Sequence, residues 1–149
     1  MVDRHARDIA ADAIQDFMDG LISNKAYEQR YPSTRSCNDP ALRAVFSHVW
    51  FCYDDLSEHT LTGEHVLTGE RRAFLERSLL FLRSDLEFQW PPPAFGLRYG
   101  ILRLLGFGQM LKRREEEEMR VGDVLVYPFL TKAEYEETVR RSTTGPKNR

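Results

Sequence analysis

A mainly α-helical, compact bundle of four to five helices with a short C-terminal β segment is the architecture this sequence predicts. Three observations lead there. Apolar residues recur at helical spacing in several separate stretches. Proline and glycine clusters divide those stretches. Only one run, Val124-Leu125-Val126-Tyr127, reads as a strand. A length of 149 residues suits one domain with one sizeable core, which needs no disulfide or metal to hold it. Hydrophobic residues at 42% and charged residues at 30% argue against wholesale disorder. The expected organisation is a single helical domain over 1–141 and a polar, disordered tail over 142–149.

The first helix is expected from about Asp3 to Leu21. Ala6, Ile9, Ala10, Ala13, Ile14, Phe17 and Leu21 fall on one face of it. Ser23 can cap a short turn through Lys25 to Arg30, and Tyr31-Pro32 breaks the chain. The second helix has the clearest start, with Asp39 as N-cap and Pro40 at the first helical position. Its bulky stripe of Leu42, Val45, Phe46, Val49, Trp50, Tyr53 and Leu56 places it at the centre of the core, with Trp50 buried. Glu70 suits the positive start of a third helix, which carries Phe74, Leu75, Leu79, Leu82 and Leu86 and follows a cap at Thr68.

Trp90-Pro91-Pro92-Pro93 is expected to be extended. Beyond it Leu97, Ile101, Leu104 and Leu111 share a helical face, continued by the charged run Lys112 to Glu118, and the segment from Phe95 is expected to cover an open side of the bundle. Thr131-Lys132-Ala133-Glu134 is a capping box that opens a last helix, through about Arg141.

The composition excludes several classes. A net charge of −2 and scattered arginines give no basic footprint, so no nucleic-acid partner is expected. The apolar stretch Ala94 to Leu111 approaches spanning length, but Arg98, Arg103 and four glycines interrupt it, so no membrane association is expected. The polar start Met1-Val2-Asp3-Arg4-His5 lacks the apolar run of a secretory signal, which gives a cytoplasmic expectation. Cys37 and Cys52 are accordingly expected as free thiols.

Catalytic motifs are weak. Gly106-Phe107-Gly108 follows no strand and lacks a third glycine, and Cys37 has no histidine tied to it. The acid pairs Asp54-Asp55 and Asp85-Glu87 read more simply as caps or ion-pair partners. No cofactor is expected, and the reading leans away from an enzyme. Two polar stripes remain. On the second helix His48, Cys52, Asp55 and His59 form one stripe. Asp55 and His59 at i, i+4 can chelate one ion, with His65 from the following loop closing the site. His48 is eleven residues from His59, about 16 Å along a helix, and cannot share that ion. The alternative is a local Asp55–His59 pair with Cys52 packed as a small hydrophobe.

The other stripe is acidic. Asp8, Asp12, Asp16 and Asp19 line the first helix opposite its apolar side, where like charges at i, i+4 oppose one another. Only Arg4, beside Asp8, is placed to offset the first of them. The first sixty residues hold ten acids and six Lys/Arg, while the remainder holds thirteen and fifteen. Either the basic half neutralises this face internally, or the face steers a basic protein partner. The leading expectation is therefore non-enzymatic binding of a basic protein through the four aspartates, in its sharpest form an immunity- or antitoxin-like role. A metal site at Asp55, His59 and His65 is the alternative.

Overall fold

The computed structural model describes residues 1–33, 38–54, 56–91 and 121–144. Five α-helices lie among them: α1 (Arg4–Met18), α2 (Asn24–Arg30), α3 (Pro40–Val49), α4 (Gly69–Leu82) and α5 (Lys132–Thr144). Short 3-10 turns occupy Trp50–Cys52, Gly63–His65 and Val124–Val126, and no strand is present among the described residues. The expected helix over Leu97 to Leu111, its charged continuation, Phe95, Cys37 and Gly145-Pro146 lie outside the described residues.

Local capping sets the helix starts. Asp3 accepts from Ala6 N–H at 3.0 Å, Ser23 from Ala26 N–H at 3.2 Å and Asp39 from Ala41 N–H at 3.0 Å. The capping box of α5 is formed in both directions: Glu134 N–H donates to Thr131 Oγ1 at 3.2 Å, and Thr131 N–H donates to Glu134 Oε2 at 3.3 Å. Thr68 stands at the N-cap of α4, but its side chain makes no capping hydrogen bond.

Three helices stop earlier than the apolar pattern suggests, α4 among them at Leu82, short of Leu86. Gly20, at φ +70°, ends α1. Its N–H donates to Phe17 C=O and that of Leu21 to Asp16 C=O, the paired bonds of a Schellman termination. Leu21 is thereby left exposed. The early stop of α3 overturns the expected burial of Trp50. Helix α3 ends at Val49, and Trp50 and Leu56 are 46% and 91% exposed. The reason lies thirty residues upstream. The buried Asn24 amide donates to the carbonyls of Asp54 and Ser57 at 3.1 and 2.9 Å, and its oxygen accepts from His59 N–H. In a helix running on to His59, intrahelical bonds would take two of these groups, the Asp54 carbonyl and the His59 N–H. Extended backbone at Tyr53 instead turns that ring edge-on to Phe17, at 5.2 Å, and Trp50 faces outward.

The core has two parts. In the larger, Ile14 and Phe17 of α1 meet Tyr27 of α2, Val45 and Val49 of α3, and Leu75, Leu79 and Leu82 of α4. Phe17 stacks on Tyr27 at 5.1 Å. In the smaller, Phe81 packs with Phe129, Val126 and Ala41. Trp90 closes this side by donating its indole N–H to Phe129 C=O at 3.1 Å. Gly122 is required there, because a methyl group on it would lie 2.6 Å from the Leu130 carbonyl oxygen and 2.9 Å from the Trp90 ring.

The expected C-terminal β segment is also corrected. Val124–Val126 is a 3-10 turn whose N–H groups are satisfied locally: Leu125 N–H donates to Asp123 Oδ1 at 3.0 Å, Val126 N–H to Asp123 C=O at 3.1 Å. Those donors are unavailable to a ladder, and Val124 and Leu125 are both exposed rather than alternating. No described helix is long and apolar enough to cross a membrane.

Candidate functional site

The acidic stripe is on the surface of α1. Asp8, Asp12 and Asp19 are exposed and Asp16 is half-buried. Arg4 pairs with Asp8 at 2.9 Å, as its spacing suggested, while also donating to the carbonyls of Ser84 and Leu82 at the end of α4. Arg30, on α2, pairs with Asp16. Gln15 donates to Asp19 at 3.0 Å, and among the described residues Asp12 has no side-chain hydrogen bond or ion pair. The arginines of the basic half do not reach this stripe where they are described. Arg77 binds Glu70 and the Tyr127 carbonyl instead, and Arg98 and Arg103 lie outside the described residues.

Position matters as much as exposure. Asp16 lies in the last turn of α1 and Asp19 is its C-cap. Carboxylates there face the negative end of the helix dipole, each at a cost of about 0.3–1 kcal/mol at exposed sites. The ion pairs to Arg4 and Arg30 are solvent-accessible and contribute about 0–1 kcal/mol each. The stripe thus has a folding cost of the same order as the gain from its own ion pairs, and Asp19 has no such pair among the described residues.

The second stripe does not exist as one surface, because the helix that was to carry it ends at Val49. His48 stays on α3, its Nδ1–H directed to Ala44 C=O at 2.8 Å and its ring 4.5 Å from that of Tyr127. Cys52 is a buried free thiol whose S–H points at His48 C=O. Burial pushes its pKa up, against the opposing charge of Arg71, which keeps it in the unreactive thiol form. His59 and His65 do come together, with ring centroids 4.1 Å apart and planes inclined by 26°. His59 Nδ1 is held by Ser57 C=O at 3.0 Å. Asp55 lies outside the described residues, among which no group of three His, Cys, Asp or Glu side chains converges as a metal site.

An open groove of about 840 Å³ runs between α4 and α5 over Leu79, Leu80 and Leu86. Several charges of its rim are occupied within the protein: Arg141 pairs with Glu137, Glu76 with Arg72, and Glu134 caps α5.

Sequence reasoning missed the most buried polar contact. Arg7, fully buried, makes a two-pronged bond to Asp39, at 2.6 and 3.1 Å. Its remaining nitrogen donates to Ser84 and Leu86 C=O at 3.1 and 2.8 Å, and the guanidinium lies 5.2 Å from the Phe81 ring centre. A signal was present: Arg7 shares its helix face with Ala10, Ala11 and Ile14. Comparisons of the chain with family models, with curated proteins and with solved structures give no match.

Proposed function

We propose that this protein works by binding a basic protein partner along the acidic face of α1, without chemistry of its own. The observation that carries this reading is the placement of Asp12 and Asp19. Both are exposed, neither is neutralised by a described Lys or Arg, and Asp19 sits where the helix dipole disfavours it. An immunity- or antitoxin-like role, covering a basic effector, is the form this binding would take. Exposed pairs such as Arg4–Asp8 exchange partners readily, so incoming arginines can replace the internal ones.

The test is association with a synthetic peptide of alternating Arg and Leu, followed by stopped flow over a range of salt. Asp12→Lys with Asp19→Lys is expected to slow association about tenfold and flatten its salt dependence. An unchanged rate would refute a steering role for this face.

The stacked His59–His65 pair favours a second reading, a site for a divalent transition metal completed by Asp55. Near-parallel rings direct their lone pairs alongside each other, so binding requires one ring to turn. Calorimetric titration with zinc tests it: binding lost in His59→Ala and His65→Ala alike supports the site, and no heat of binding rejects it.

A further inference from the structure

We propose that the loop following α3 is the anchoring surface for that basic partner, with Trp50 and Leu56 as its apolar contacts and Asp54 and Glu58 as its charged ones. This rests on the reading that the partner is a basic protein, but it assigns the binding energy to a different surface from α1.

Exposure without looseness is the first ground. Leu56 is 91% exposed and Trp50 46%, and Phe51 beside it is 59% exposed, its ring centroid 5.7 Å from that of Trp50. Large apolar side chains so presented mark binding surfaces when they are grouped, and tryptophan is the residue most enriched among binding hot spots. The loop carrying them is pinned from below by Asn24, which is fully buried and bonds to Asp54 C=O, Ser57 C=O and both backbone groups of His59. Glu58 is held by Ser23 Oγ–H at 2.6 Å. Groups held beforehand, as at Asp54, Ser57, Glu58 and His59, lose less conformational entropy on binding, which raises affinity.

Charge identifies the occupant. From Ala44 to Glu70 the sequence holds five acids and no Lys or Arg. Asp54 and Glu58 are exposed within it. An anionic bilayer is repelled by such a loop, since interfacial aromatic anchors work alongside basic residues. A two-fold contact with a second copy would set these acids against themselves. A cationic polypeptide fits: its arginines stack over the Trp50 face and pair with Asp54 and Glu58, while an aliphatic residue covers Leu56.

The Arg-Leu peptide, a Glu-Leu peptide of equal length and phosphatidylglycerol vesicles serve as probes, read by tryptophan emission and acrylamide quenching. Trp90 is buried, so the response reports Trp50. The Arg-Leu peptide is expected to shift the emission to the blue and protect it from quenching, with no response to the other two. Leu56→Ser, and Asp54→Asn with Glu58→Gln, are each expected to weaken binding about tenfold or more. Their urea midpoints should stay unchanged, because Leu56 is exposed and each amide keeps an oxygen that can accept from Leu56 N–H or Ser23 Oγ–H. Binding that falls with Asp12→Lys and Asp19→Lys but not with the loop variants overturns the loop and leaves the α1 reading standing. The reverse pattern establishes the loop and overturns α1. Equal response to both peptides, binding to the vesicles, or no response at all overturns the proposal.

Discussion

Replacing Arg7 with methionine is expected to destabilise the fold by about 3–5 kcal/mol, the cost of leaving one partner of a buried ion pair alone. Asp39 would then keep a buried carboxylate with only the N–H groups of Asp3 and Ala41 for company. The Leu86 carbonyl would lose its donor as well, while that of Ser84 would keep only the one from Arg4. Arg7→Lys should fall between, because an ammonium cannot reproduce the two-pronged bond and reach both carbonyls. Urea unfolding measures both, and a loss under about 1 kcal/mol for the methionine variant would contradict the buried pair.

The same pair gives the fold a pH dependence. Burial alone would push the Asp39 pKa up. The hydrogen bonds and charge of Arg7, with the backbone donors of Asp3 and Ala41, outweigh it and hold the folded value below the ordinary 3.8. A carboxyl depressed in the folded state contributes stability that is present above its unfolded pKa and lost as pH falls through the folded one. Wild type should therefore lose stability below about pH 4, and Asp39→Asn should lose less over that interval, starting from a lower value.

The second large effect separates the core from its surroundings. Phe17→Ala should cost about 3–5 kcal/mol, since Phe17 is fully buried between Tyr27 and Tyr53. Trp50→Ala should cost under about 1 kcal/mol, because half of that side chain already faces water. Apolar periodicity alone, which places Trp50 in a buried stripe, assigns it a loss of about 3–5 kcal/mol. Equal losses in the two variants would mean that α3 runs on past Val49 after all.

That contrast shows which signals the sequence carries. Helix starts were legible because a cap is a contact over two or three residues, as at Asp39-Pro40 and Thr131–Glu134. The early end of α3 was not, because it depends on the Asn24 amide reaching carbonyls thirty and thirty-three residues away. Val124 to Tyr127 has strand propensity, yet the Asp123 carboxylate and carbonyl, a local effect that propensity ignores, take the N–H groups of Leu125 and Val126, and Tyr127 N–H turns back to Val124 C=O.

The candidate site divides in the same way. Arg4–Asp8 was visible as an i, i+4 pair, whereas Arg30–Asp16 appears only once α2 folds back on α1. The metal stripe was projected onto a helix that had already ended, although His59 and His65 still met through the loop. Arg7 and Asp39 stand thirty-two residues apart, and neither position names the other in the sequence.

On the proposed reading, the aspartates of α1 serve a partner and the fold bears their cost. Unfolding of Asp12→Asn with Asp19→Asn in urea at low salt tests this most directly, since the change removes charge and keeps shape. Stability should rise by about 0.3–1 kcal/mol as repulsion and the unfavourable charge at the helix end are relieved. A fall of about 1 kcal/mol or more would show that these carboxylates hold the fold together, and would contradict the claim that they are kept for binding.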